Sequence, residues 1–398
     1  MTPSTSPRSF SQKELAQQCT KDSCWIMLGT RVYDVTEFLR LHPGGEALIL
    51  SHSGTDVSRL MDGPPHRHSE NARRWMEQYY IGDLDRNSAA ETETLRKRKT
   101  SKNDEEKEQP SAISYSRVDP ETDLVDWQKP LAWQVGHLGE KYDAWVHQPV
   151  DQPLRFFQSS LLEATTKTSW YMVPLVWIPV VLYLSWYCCT SLAEEKTRIF
   201  LTREYSIMVH QYSFPFLFLM GMFLWTFMEY CIHRFVFHMR PPAHSYYLIT
   251  LHFLLHGQHH KSPFDRSRLV FPPGLASPLI GGCYLLFSAI FPEGVSLCLF
   301  AGGLGGYVVY DLTHYYLHYG CPQKGSYMYK LKAYHVKHHF KHQRAGFGIT
   351  TSLWDHPFNT AFPEEPSEQG TQHSPPSSWF RFLFSLQIRP FPARHVVW

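Results

Sequence analysis

The chain has 398 residues, with 38 Lys and Arg against 36 Asp and Glu and a formal net charge of +2. That length allows two or more domains, and the near balance of charge leaves no broad nucleic-acid footprint. The eight cysteines are scattered, with no C-x-x-C pair, which argues against a disulfide framework or a Cys-type zinc site and for reduced soluble parts facing the cytosol.

Residues 1–10 are Ser/Pro-rich and lack an apolar core, so no cleavable signal peptide is visible and membrane entry falls to internal segments. Residues 9–85 have mixed polarity and read as a small soluble α+β domain. Residues 86–122 carry Arg96, Lys97, Arg98 and Lys99, then Asp104, Glu105 and Glu106; nothing there fills a core, and a disordered charged linker is expected. Residues 123–167 are amphipathic and aromatic and are expected near a membrane surface. Four apolar segments follow, at about 168–190, 206–230, 274–291 and 295–310. Each approaches the ~20 apolar residues of a spanning helix; the last two are shorter and form a tight hairpin about Pro292-Glu293-Gly294 that either spans fully or enters the bilayer and returns. Between Cys231 and Pro272 stand Arg234, Arg240, Lys261, Arg266 and Arg268 against Asp265 alone. Between His314 and Arg344 stand Lys324, Lys330, Lys332, Lys337, Lys341 and Arg344 with no carboxylate. The positive-inside rule places both stretches, and with them both termini, in the cytosol.

Within the first domain, His42-Pro43-Gly44-Gly45 follows a strand-like Arg31–Val35, and Pro65-His66-Arg67-His68-Ser69 lies downstream. Two neutral imidazoles on opposite sides of a pocket make six-coordinate haem iron, which moves electrons and leaves no position for dioxygen. Cys24-Trp25, Val32–Thr36, Phe38 and the His-Pro-Gly-Gly turn together strongly resemble the cytochrome b5 family. The resemblance implies His42 and His68 as axial ligands of a haem b, with His66 as the competitor for the second place.

Four histidine groups carry the remaining chemistry: His233 with His238, His256 with His259 and His260, His314 with His318, and His335 with His338 and His339. Spacings of three and four residues share one helix face, so each H-x-x-H-H box reads as a converging claw. The five-residue spacing of His233 and His238 fits one face less well and predicts a helix end or an altered winding. Ten histidines exceed the four ligands of a closed structural zinc site, and two metals sharing them is the simpler count. Iron suits oxidative chemistry, although nitrogen ligands favour zinc by affinity, so purified protein is expected to be able to hold zinc. Glu229, Asp311 and Asp355 are candidates to orient the imidazoles, and Tyr315, Tyr316 and Phe340 are candidate substrate-wall residues.

These boxes, with Trp133–Tyr142, Trp145–Pro149, His256–Lys261, Ser267–Pro273 and Asp311–His318, resemble the fatty acid hydroxylase (sterol desaturase-like) superfamily over residues 123–365. The resemblance implies an all-α integral membrane domain of about four transmembrane helices with a cytosolic histidine-rich cap. It implies a dimetal centre held by His233, His238, His256, His259, His260, His314, His318, His335, His338 and His339. It further implies an endoplasmic reticulum location and dioxygen-dependent hydroxylation next to the acyl carboxyl, giving 2-hydroxy chains for sphingolipids. Tyr334 stands where relatives often have another His. Residues 366–398 match nothing expected of the family and read as a variant tail. No G-x-G-x-x-G follows a strand, so electrons are expected from a separate NAD(P)H-dependent reductase. The competing readings are a haem-fused acyl desaturase, separable by product mass, and a non-catalytic haem and zinc protein that binds lipid.

Overall fold

A computed structural model describes residues 8–42, 45–63, 68–85, 123–150, 152–194, 198–200 and 206–362. The linker 86–122, the tail 366–398 and the alternative ligand His66 lie outside the described residues. The N-terminal region is a four-stranded sheet in the order β1-β4-β3-β2, with β1 Ser9–Phe10, β2 Trp25–Leu28, β3 Arg31–Asp34 and β4 Tyr80–Leu84. Gly29, at φ +65°, closes the two-residue turn between β2 and β3, a conformation that L side chains resist. Helices Glu46–Leu50, Ser58–Asp62 and Glu70–Met76 cover the sheet. Ser69 caps the last of them by accepting the Ala72 amide at 3.2 Å, as a short helix needs for its unpaired first N–H groups.

Four helices are long and apolar enough to cross a membrane, and the protein is multi-pass. They are α1 (Met172–Ala193), α2 (Phe214–Cys231), α3 (Pro273–Ile290) and α4 (Glu293–Tyr319). Leu175, Leu182, Phe216 and Leu285 point outward, each more than 60% exposed, as lipid-facing side chains do. The second segment starts later than its hydropathy implied. Ser206–Met208 pairs with Arg198–Phe200 as a β-hairpin, and Pro215 then opens the helix, where a missing N–H costs nothing. The fourth helix is longer than the apolar run, because it continues through Asp311 to His314 and His318. Glycines let α2 and α4 touch: a Cβ on Gly221 would lie 2.1 Å from the Leu299 carbonyl oxygen, and one on Gly302 would lie 2.0 Å from that of Phe218. Close backbone approach through small residues is how membrane helices gain packing contacts without a hydrophobic driving force.

Beyond the membrane helices, the short helices of 132–165 pack Leu131, Tyr142, Trp145 and Phe156 against Ile249 and Phe253, while Trp133 and Leu161 face outward. Helix α5 (Tyr327–Phe340) is capped by Ser326, which accepts the Tyr329 amide at 3.2 Å. Tyr329 and Ala333 of α5 belong to the same apolar core as Cys24, Tyr33, Leu39, Trp75 and Tyr79 of the N-terminal sheet region.

Candidate metal centre and haem crevice

Two of the four histidine-bearing segments reach the centre by unusual local winding. Ile232–Phe237 and Phe253–Gly257 are π-helical, and the His238 amide donates to the His233 carbonyl at 2.9 Å, five residues back. A five-residue spacing that misses one face of an α-helix shares a face in this wider helix, so the spacing of His233 and His238 recorded the π-turn.

The ten histidines form two abutting groups. His259, His314, His318, His335 and His339 have ring nitrogens within 4.8 Å of one another, as do His233, His238, His256 and His338. His260 joins the second group through His238 at 3.3 Å and His256 at 3.2 Å. Each H-x-x-H-H box therefore divides rather than closing as one claw. His256 and His260 go to one group and His259 to the other; His335 and His339 go to one group and His338 to the other. Each group receives two pairs and one single imidazole, and the groups meet where the His260 and His339 rings stack at 4.4 Å.

Hydrogen bonds set the orientation of the rings. The Nδ1–H groups of His233, His314 and His338 donate to the carbonyls of Phe347 (2.6 Å), Leu269 (3.2 Å) and Ala345 (2.8 Å). This fixes the tautomer and leaves Nε2 with its lone pair. The Nε2 atoms then face one another: His314 and His259 at 3.0 Å, His318 and His335 at 2.9 Å, His238 and His338 at 3.0 Å. Facing lone pairs repel unless a cation lies between them, so this donor set fits metal ions. Burial, then repulsion between imidazoles, pushes His256, His259, His260, His335 and His339 well below the usual imidazole range. The neutral form that a metal requires is therefore the form present at neutral pH.

None of the three carboxylates hydrogen-bonds a ligand imidazole, contrary to the sequence expectation. Asp355 instead accepts the Phe347 and Gly348 amides, both at 2.9 Å, and the Thr360 hydroxyl at 2.7 Å. It thereby holds the loop whose Phe347 carbonyl orients His233. Asp311 accepts the Phe271 amide at 3.2 Å, two residues beyond the Leu269 carbonyl that orients His314. Glu229 accepts from the Thr350 amide at 2.8 Å. The ligands and these carboxylates meet through backbone, because the carboxylates sit one layer further out.

Three cations counted as loop charges are also internal. Lys261 is buried and donates to the Trp145 and Gln148 carbonyls at 3.0 and 2.9 Å. Arg268 is buried between Glu163 and Asp265, and Lys332 donates to the Gly320 carbonyl at 2.9 Å. They anchor the segments that carry the ligands; only Asp265, three residues before Arg268, was a sequence signal for any of this. His252, buried and bonded to the Tyr142 hydroxyl at 2.6 Å, is a further histidine that carried no motif.

Besides the crevice of His42 and His68, two cavities among the described residues open on the centre. An apolar one, walled by Phe156, Phe237, Leu254, Phe271 and Tyr310, reaches His256, His259 and His314. A more polar one, with Asp143, His147, Arg234, Arg240 and Arg344, reaches His238. Tyr315 and Tyr316 line neither, since their face of α4 turns elsewhere; Phe340 lines the crevice of His42 and His68. In that crevice the two imidazoles lie 6.2 Å apart and 22° from parallel. His42 Nδ1 lies 3.1 Å from the Gly45 carbonyl, which leaves Nε2 for iron. Ile26, Leu60, Met61 and Trp75 supply apolar walls. Two facing imidazoles in an apolar slot fit a six-coordinate haem.

Residues 11–85 match the cytochrome b5-like heme/steroid binding domain family, and residues 218–360 match the fatty acid hydroxylase family. The chain is 55% identical to a fatty acid 2-hydroxylase of Homo sapiens over 371 residues, which is 92% of this chain and 99% of that protein. It is 34% identical to a ceramide very long chain fatty acid hydroxylase of Saccharomyces cerevisiae over 88% of this chain and 94% of the other. A solved structure of full-length scs7p, in which only the hydroxylase domain is visible, aligns with a TM-score of 0.53 at 35% identity. It covers 63% of this chain and 91% of that one.

Proposed function

The chain belongs to the fatty acid 2-hydroxylase family, and from that premise we propose that it hydroxylates the carbon next to the carbonyl of fatty acyl chains bound for ceramide and galactosylceramide. It is an oxidoreductase that joins a cytochrome b5-like domain to a membrane hydroxylase domain. The observation that carries the reading is the pair of five-imidazole groups, lone pairs inward, at the inner end of an apolar cavity.

The ten histidines named above hold two metal ions, and His42 with His68 hold haem b. Iron is the fitting metal, because bound iron supplies the dioxygen activation and hydrogen abstraction that redox-inert zinc does not. The chain's own residues do the rest. Phe156, Phe237 and Phe271 take the acyl tail and exclude water. Arg234 and Arg344 at the polar cavity suit the carbonyl end, so the carbon beside it lies against the centre. The Phe347, Leu269 and Ala345 carbonyls keep three rings aimed inward. One reaction consumes dioxygen, two electrons and two protons, giving the alcohol and one water. The electrons come from an NAD(P)H-dependent reductase, and the endoplasmic reticulum membrane, with the histidine cap cytosolic, is the fitting location.

Sphingolipid mass spectrometry in cells lacking this activity tests the proposal. The intact chain is expected to add one oxygen to acyl chains, and His338→Ala to add none. Partial loss with His42→Ala would show that a separate haem donor substitutes. Lipid profiles matching the empty control, with protein present in membranes, would defeat the reading.

A further inference from the structure

The crevice of His42 and His68 is not closed by the N-terminal domain alone. Leu317, His318, Val336, His339 and Phe340 of the hydroxylase domain form one of its walls. His318 and His339 are both members of one group, that of His259, His314 and His335, and no member of the other group lines the crevice. The two domains are joined around this wall by specific contacts. The Tyr79 and Tyr329 hydroxyls are hydrogen-bonded, and the Asn71 amide donates to the His318 carbonyl. Gln78 donates to the Pro322 carbonyl at 2.9 Å and accepts the Lys324 amide at 2.8 Å. Lys324 pairs with Glu37 at 3.0 Å. Trp75 meets the Tyr329 ring edge-on at 5.6 Å and lies 5.2 Å from the Lys332 ammonium.

We propose that this docked arrangement is the electron-delivery state, and that electrons enter the dimetal centre at the group of His259, His314, His318, His335 and His339. The inference rests on the hydroxylase reading and specifies the route within it. With haem and iron bound, each transfer would oxidise ferrous haem to ferric and reduce one ferric ion of that group to ferrous, with no bond made or broken. Two transfers per turnover supply the two electrons of the reaction, and the reductase returns the haem to ferrous. The other group, lined by His238 on the polar cavity and His256 on the apolar one, receives its electron through the first. Helix α5 couples the two redox sites physically. Its Tyr329 and Ala333 pack in the haem-domain core, while one turn later its imidazoles enter the metal groups.

A cross-link tests the docking in the full-length, haem- and iron-loaded protein. Gln78 Nε2 lies 3.2 Å from Cys321 Sγ, so the shorter side chain of Gln78→Cys leaves a gap of a few ångströms that a methylene-spaced bis-methanethiosulfonate is expected to bridge, joining the two thiols. After cleavage at a protease site placed within residues 86–122, both halves should stay joined on a non-reducing gel, and should separate when Cys321→Ser is added. Anaerobic stopped-flow of the haem absorption bands then tests the route, after stoichiometric reduction by dithionite. The cross-linked protein should oxidise its haem at the uncross-linked rate. His338→Ala, which damages the far group, should still pass one electron, whereas His335→Ala should pass none. Absence of the cross-link, loss of haem oxidation on cross-linking, or transfer surviving in His335→Ala and lost in His338→Ala would each overturn the inference. A cross-linked, electron-passing protein that yields no hydroxylated lipid would instead fail the hydroxylase reading alone.

Discussion

At the level of single residues, the centre is built on imidazoles made neutral by burial and aimed by carbonyls. Protons and metal compete for the same Nε2 lone pairs, which gives the acid behaviour its sign. His256, His259, His335, His338 and His339 are held well below the ordinary imidazole value, by burial first. Unfolded imidazoles titrate near ~6.5. Below that pH the unfolded chain takes up protons that the folded chain cannot, so stability present above ~6.5 declines as pH falls through the window beneath it. Metal-free protein in detergent is therefore expected to show a falling thermal midpoint from pH 7 to pH 5. A midpoint that is flat or rises would contradict the buried, neutral cluster. Asp355 supports the centre from one layer out, with three donors on one carboxylate. Asp355→Ala strands two buried amides and is expected to cost on the order of 3 kcal/mol. Metal analysis should show the His233 group emptied, because the Phe347 carbonyl loses its anchor. Full metal content in a stable Asp355→Ala protein would rule out that role.

At the level of elements, one altered winding and one close helix contact shape the centre. The π-turn of Ile232–Phe237 brings His233 and His238 to one site. Deleting Val236, whose side chain is partly exposed, restores a four-residue spacing in an ordinary helix. The expected product inserts in the membrane and binds about one metal ion in place of two, read by elemental analysis per chain. Two ions in that variant would show that the winding is incidental. The α2–α4 contact depends on Gly302 in a different way. Its Cβ position lies against the backbone of Phe218, which no side-chain rotation relieves. Gly302→Leu should separate the helices and leave little folded protein in a detergent-resistance assay, whereas Gly281→Leu, where nothing lies within 4 Å, should be tolerated.

At the level of the whole molecule, the same helix, α5, serves the N-terminal core and the metal groups, so the two redox sites share stability unequally. The crevice of His42 and His68 is lined mostly by residues of its own domain, whereas the two imidazole groups are assembled from four separate segments that cross between the membrane helices and the cap. Chelation should lower the unfolding temperature of the hydroxylase domain while the haem absorption bands persist to a higher temperature. Simultaneous loss of both signals would show one cooperative unit. Such partial uncoupling is expected where chain segments far apart in sequence meet only at a ligand site.

Much of this protein was readable from local pattern. Apolar runs of about twenty residues require helices in lipid, because no other backbone conformation satisfies its own hydrogen bonds there. His42 and His68 in their sequence context, and the gathering of ten further imidazoles, were legible because i, i+3 and i, i+4 spacing puts imidazoles on shared helix faces. The partition of those imidazoles was not readable. Spacing of three and four residues says which rings share a helix face, but which metal each serves depends on the segment packed opposite. The anchoring of the ligands by Asp355, Asp311 and Lys261 was equally hidden, since each acts on backbone distant in sequence or one layer away. The wall that Val336 and Phe340 place over the haem crevice arises only when α5 packs against the N-terminal sheet region, as local periodicity records the faces of a helix and not their partners.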